Sequence, residues 1–246
     1  MTTIFNLIIL DESGSMAGCT KATISGCNEI IQTVKNLQKT SDGKSRSFVS
    51  IYAFDDGGRN SRYICRNIFA EEAREITPHD YQPTGMTPLL DAVGSTIVDL
   101  KAIAATHEDA TANISIITDG YENASRHYTW EKVARLISQV REMGWTVNLI
   151  GANIDLEKMG SDLNIDNRLS FDNNDRSTRI MFNKMSQSIA DYEMDRRAYE
   201  EDGCCEPMSQ EERIKARKSR SASFFKKITL PPPATSFPET LIHLPP

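Results

Sequence analysis

The chain has 246 residues, with 28 basic against 34 acidic side chains for a formal net charge of -6, and 39% of its residues are hydrophobic. That balance describes one main globular domain with a possible appendage. A domain of about 200 residues buries roughly 70% of its unfolded surface, so a core forms without a disulfide or metal staple, and any metal bound serves function. No stretch approaches the ~20 consecutive apolar residues of a membrane span. The first apolar segment, Ile4 to Leu10, is interrupted by Asn6 and lacks both a preceding basic region and a following small-residue cleavage site, so it does not read as a secretory signal. The expectation is a cytoplasmic protein. Cys19, Cys27, Cys65, Cys204 and Cys205 are odd in number and show no disulfide or C-x-x-C zinc spacing, which predicts reduced thiols. The adjacent Cys204 and Cys205 leave a redox or soft-metal role conceivable.

In chain order, short apolar runs alternate with segments of helical period. Strands are predicted at Ile4–Leu10, Phe48–Phe54, Tyr63–Phe69, Asn113–Thr118, Thr146–Ile150 and Arg168–Phe171. Helices are predicted at Thr20–Gln38, Leu89–Ala105, Thr129–Met143, Leu156–Leu163 and Thr178–Tyr199. This alternation builds an α/β Rossmann-like three-layer sandwich, a mostly parallel sheet with helices on both faces. The turn signal Asp56-Gly57-Gly58 makes the Tyr63–Phe69 run an antiparallel edge strand. Residues 1–202 form the domain. Residues 203–246 read as a largely disordered tail: seven Lys/Arg against three Glu in 211–246, then six prolines in the last sixteen residues.

Ligand sites of open α/β sheets lie beyond the carboxyl ends of the strands. The first strand runs into Asp11-Glu12-Ser13-Gly14-Ser15, a carboxylate followed by hydroxyls two and four residues on. The Asn113–Thr118 strand runs into Asp119-Gly120, and Pro83-Thr84-Gly85-Met86-Thr87-Pro88-Leu89 places a further hydroxyl just before a helix. Three loops thus offer an oxygen-only set without His or Cys, which selects a hard divalent cation such as Mg²⁺ or Mn²⁺ over zinc.

These residues carry a family resemblance. Asp11-Glu12-Ser13-Gly14-Ser15 matches the D-x-S-x-S motif of von Willebrand factor A domains, Gly85-Met86-Thr87-Pro88-Leu89 resembles their G-x-T-x-L segment, and Thr118-Asp119-Gly120 matches their T-D-G. The resemblance covers about residues 1–200, and the stretch Val147-Asn148-Leu149-Ile150-Gly151-Ala152-Asn153-Ile154-Asp155 followed by a helix is similar to the small single-domain members of bacteria and phages. The resemblance implies a metal-ion-dependent adhesion site in which Asp11, Ser13, Ser15, Thr87 and Asp119 surround the ion and a partner's Asp or Glu completes its shell. It also implies a non-catalytic recognition module, an adaptor or scaffold subunit whose partners include AAA-type ATPases or stress and phage-defence assemblies. Glu12 departs from the family's usual small or neutral residue, and its charge at the rim would disfavour an acidic partner. The other expected rim residues are Met16, Tyr81, Met86, Tyr121 and Glu122.

Singly, each ligand has a plainer reading: Asp11 and Ser13 as helix caps, Asp119-Gly120 as a turn, Thr87-Pro88 as a helix start. The loop aromatics Tyr81 and Tyr121 can equally fold back onto the core. Two rival functions stand beside recognition. One is a Mg²⁺-dependent phosphoryl transferase with Asp11 as nucleophile, although position 13 holds Ser where that chemistry wants a second acid. The other is contact of the basic tail with nucleic acid or another acidic surface, which the net -10 of residues 1–210 opposes; a solvated tail, or one folded back on that acidic body, is the default.

Overall fold

The computed structural model describes residues 1–56, 60–201 and 208–225. Its strands are β1 (Thr2–Asp11), β2 (Ser45–Phe54), β3 (Arg62–Phe69), β4 (Ala110–Thr118), β5 (Thr146–Ala152) and β6 (Asn167–Phe171). The helices are α1 (Thr20–Lys39), α2 (Leu89–Ala104), α3 (Trp130–Glu142), α4 (Leu156–Asp162), α5 (Asp175–Glu201) and α6 (Gln210–Ser221). All five expected helices and all six expected strands appear, with ends moved by a few residues.

β1 is buried along its whole length, as a central parallel strand covered on both faces must be. Its alternate side chains serve two cores. Phe5, Leu7 and Ile9 meet α2, α3 and α4 through Leu89, Val93, Ile97, Ile137 and Met159. Ile8 and Leu10 meet α1 and α5 through Ile30, Ile31, Met181 and Phe182. α1 and α5 lie close because Gly26 has no side chain; a Cβ there would come within 2.0 Å of the Phe182 ring.

The sheet order is β3-β2-β1-β4-β5-β6. β1 pairs parallel with both β2 and β4, and β3 pairs antiparallel with β2, as the turn signal led one to expect; Gly57 and Gly58 of that turn lie outside the described residues. The chain leaves β1 toward β2 on one side and later returns to β4 on the other. A crevice therefore opens between the carboxyl ends of β1 and β4, where the connections diverge.

The tail expectation needs correction. Ser209 opens α6 with a reciprocal capping box to Glu212. Arg217, 3% exposed, bonds both carboxylate oxygens of Asp109 at 2.8 and 3.1 Å, and Arg213 reaches Asp109 Oδ2 at 2.8 Å. Phe224 enters the core and packs against Tyr192 with ring centroids 5.9 Å apart, and the Arg220 guanidinium lies 4.2 Å from the Tyr199 ring centroid. Arg213, Arg217 and Arg220 thus fold back on acidic and aromatic groups of the body. Composition signalled charge and proline content but not the buried partner Asp109. Residues 202–207 and 226–246, including Cys204, Cys205 and the proline-rich end, lie outside the described residues. Cys19, Cys27 and Cys65 are free thiols. No helix among the described residues is long and apolar enough to cross a membrane.

Candidate metal centre

Asp11 is the last residue of β1 and Thr118 the last of β4, and Thr118 Oγ1 donates to Asp11 Oδ2 at 2.6 Å across the crevice. Asp11 Oδ1 accepts the Ser13 backbone N–H at 2.8 Å, which turns the chain sharply at the strand end. Ser13 stands at the N-cap of a short 3-10 turn, Gly14–Cys19, but its hydroxyl makes no capping bond. It lies 3.1 Å from Ser15 Oγ, and Ser15 Oγ donates to Asp119 Oδ1 at 2.5 Å. One hydrogen-bonded chain therefore joins the two carboxylate loops, and the helix-cap reading of Ser13 does not describe its side chain.

The second loop is brought in by backbone. Gly85 adopts φ +73°, a left-handed conformation that suits glycine, and its carbonyl accepts the Gly14 N–H at 3.2 Å. Thr84 N–H donates to the Glu12 carbonyl at 2.7 Å. Thr87 is braced by the third loop: its N–H donates to Asn123 Oδ1 at 2.8 Å while Asn123 N–H donates to the Thr87 carbonyl at 3.2 Å. Gly120 marks where the loops meet. A Cβ there would sit 3.1 Å from Thr87 Oγ1 and 3.9 Å from Asp11 Oδ2, so a side chain would intrude among the oxygens. All five expected ligands, Asp11, Ser13, Ser15, Thr87 and Asp119, are thus gathered at one end of the sheet.

Electrostatics set the chemistry of this cluster. Burial pushes the Asp11 carboxyl up to about 6, against the hydrogen bonds from Thr118 and Ser13, and the Asp119 charge adds to the rise. Burial also raises Asp119, opposed by the Ser15 hydroxyl. Two carboxylates removed from water, with three hydroxyls beside them, form a donor set that fits a hard divalent cation. No group of three His, Cys, Asp or Glu side chains suited to a metal occurs among the described residues, so an ion here must draw on hydroxyl oxygens. A cavity of about 440 Å³ lies elsewhere, at the amino ends of β5 and β6 among Arg141, Trp145, Arg168 and Lys218, and shares no residue with the cluster.

The expected rim is only partly at the surface. Met86 and Tyr121 are exposed, 48% and 54%, and the Tyr121 hydroxyl accepts the Asp155 N–H at 2.7 Å. Glu12, Met16 and Tyr81 are each 0% exposed, and the assignment of these three to the rim is corrected. Glu12 accepts two bonds from Arg62, at 2.6 and 3.2 Å, and the Gln82 N–H at 2.6 Å. Its charge is neutralised beneath the loops and cannot repel an acidic partner at the rim. Met16 belongs to the core against α1 and α5. Tyr81 lies in the same core, and its hydroxyl donates to the Asp11 carbonyl at 2.7 Å. Glu122 is half-buried and accepts Leu90 N–H at 2.8 Å and Ser125 Oγ at 2.7 Å, fastening the start of α2; this is a structural task rather than a place on the contact face. Sequence reasoning missed Arg62, Thr118, Asn123 and Asn173, whose roles depend on contacts between distant segments; only Thr118 lay inside a quoted motif.

No family model matches the sequence, and no curated protein matches it. Solved structures do. The pilus adhesin SpaC from Lactobacillus rhamnosus GG superposes with a TM-score of 0.57 at 13% identity, over 77% of this chain and 31% of that one. A von Willebrand factor type A protein from Catenulispora acidiphila gives 0.54 at 16% identity, over 77% of this chain and 43% of that one. The VWA domain of SpRpn10 gives 0.50 at 11% identity, over 73% of this chain and 94% of that domain. The chain has the von Willebrand factor A fold. It spans less than half the length of the first two proteins, and at these identities the likeness is one of fold.

Proposed function

We propose that the chain is a recognition module that binds a protein partner through a divalent cation, Mg²⁺ or Mn²⁺, held by Asp11, Ser13, Ser15, Thr87 and Asp119. The observation that carries this reading is the convergence of two buried carboxylates, both raised by burial, and three hydroxyls at the crevice between β1 and β4. Bound there, the ion would supply Lewis acidity toward a partner's Asp or Glu. The chain's own side chains do the rest: Asp11 and Asp119 offset the cation's charge, the Ser13–Ser15–Asp119 chain holds the donors together, and Met86 and Tyr121 offer apolar contact beside the opening. The folds of an adhesin and of SpRpn10 agree with a recognition role. A partner in a cytoplasmic assembly, such as an AAA-type ATPase or a stress or phage-defence complex, is part of the same proposal.

Phosphoryl transfer from an Asp11 intermediate has less support. Ser13 sits where an acid/base would be needed, and its hydroxyl is engaged with Ser15. Contact of the basic tail with a polyanion is weakened by Arg213 and Arg217, which are spent on Asp109.

The test is a thermal titration with MgCl₂ or MnCl₂, followed by capture from the native host with and without chelator. Cation at a hundred times its Kd should add about 2.7 kcal/mol, or roughly 5–10 °C for a domain of this size. Asp11→Asn should lose that gain yet melt no lower than the parent in chelator, because a buried carboxylate raised to about 6 costs stability at neutral pH. A parent whose melting ignores both cations, or partner capture that persists in chelator, would overturn the reading.

A further inference from the structure

Asn173, in the connection between β6 and α5, is far in sequence from every motif of the candidate centre, yet its side chain enters it. Its Nδ2 donates to Asp119 Oδ2 at 2.5 Å and to the Ser15 carbonyl at 3.0 Å. Asp119 Oδ1 is already engaged by Ser15 Oγ at 2.5 Å, so the two oxygens of this carboxylate are held by donors from two different loops. The carboxamide orientation follows from its neighbours. Turned over, its oxygen would face a carboxylate and a carbonyl, both acceptors. In the orientation present, Asn173 Oδ1 is buried without a hydrogen-bond partner. Buried acceptors are ordinarily satisfied, so the donor contact to Asp119 is kept at the expense of the oxygen.

We infer that Asn173 is a positioning residue of the cation centre: by donating to Asp119 Oδ2 and the Ser15 carbonyl together, it fixes the angle of the Asp119 carboxylate and locks the first and third loops to each other. The inference rests on the cation reading above and adds a fourth loop to it. Partners that orient a ligating carboxylate from behind typically change metal affinity 10–100-fold when removed, and an N–H donor on the ligand's second oxygen is such a partner.

The experiment is isothermal titration calorimetry of MgCl₂ into the full chain, for the parent, Asn173→Ala and Asn173→Ser, with melting of each recorded in chelator. Asn173→Ala should weaken Mg²⁺ binding about tenfold or more while lowering the melting temperature in chelator by no more than about 3 °C. Asn173→Ser keeps a short donor and should recover part of the affinity; it also decides the matter if the alanine variant fails to fold. An unchanged Kd with a clearly lowered melting temperature would reduce Asn173 to a loop brace and overturn the inference alone. A tightened Kd would also overturn it, by making Asn173 a competitor of the cation. A parent that binds neither Mg²⁺ nor Mn²⁺ would remove the cation reading and this inference with it.

Discussion

Asp11 is a compact case of one residue set against its surroundings. Its carboxylate is fully buried and raised to about 6 with a second acid nearby, a state that a cation relieves and a plain structural role would not need. Glu12, its neighbour in sequence, has the opposite solution, a bidentate pair with Arg62. Arg62 is 28% exposed at the side chain and Glu12 0%, so removing the arginine strands a charge away from water. Arg62→Met should cost about 2–3 kcal/mol, toward the low side for a broken buried pair because the arginine is partly solvated. Urea denaturation midpoints would read this, and adding Glu12→Gln should restore most of the loss, since a neutral amide is far cheaper to bury. If the double variant is as unstable as the single one, packing of the arginine stem rather than stranded charge is responsible. Residue chemistry at Asp11, Ser13 and Asp119 was legible in the sequence because strand ends are readable and the motif residues lie next to them. The fate of Glu12 was not, because Arg62 lies fifty positions away on an edge strand.

At the scale of elements, α6 shows how composition can mislead. A basic segment before a proline-rich end reads as solvated, yet Ser209 and Glu212 close a capping box and Asp109 receives Arg217, Arg213 and the Thr2 hydroxyl. Burial pushes the Asp109 carboxyl up, but the hydrogen bonds and charge of Arg217, with Thr2 and Arg213, outweigh it and hold the group well below the usual carboxylate range. A depressed carboxylate contributes stability that is fully present above its unfolded value of 3.8 and is lost as pH falls toward its folded one. Part of the chain's stability should therefore decline below about pH 4. Asp109→Asn should be less stable than the parent at pH 7, and the gap should narrow between pH 4 and pH 2. Chemical denaturation across that range would check it; a constant gap would mean that α6 docks through Phe224 and Tyr192 rather than through the charge.

For the whole molecule, the two cores on either side of the sheet contain no member of the cation cluster. The fold should therefore stand without metal. In excess chelator the chain should keep its helical circular dichroism and a cooperative melt, displaced downward only by the binding energy lost. A collapse of secondary structure on chelation would make the ion a structural staple and contradict the separation of core and site. The crevice itself is a property of the whole sheet, since it exists only because β1 and β4 are neighbours whose connections run in opposite directions.

The sequence by itself determined the alternation of strands and helices, the parallel sheet with its antiparallel edge and the three oxygen-bearing turns, because each is written in periods of two or 3.6 residues and in turns of a few consecutive positions. Tertiary structure alone decided which side chains those turns face. It buried Tyr81, Met16 and Glu12 beneath the loops, set Asn123 and Asn173 behind Thr87 and Asp119, and seated α6 on Asp109. These contacts join positions 36 to 108 residues apart, and their energies depend on burial that no local pattern records.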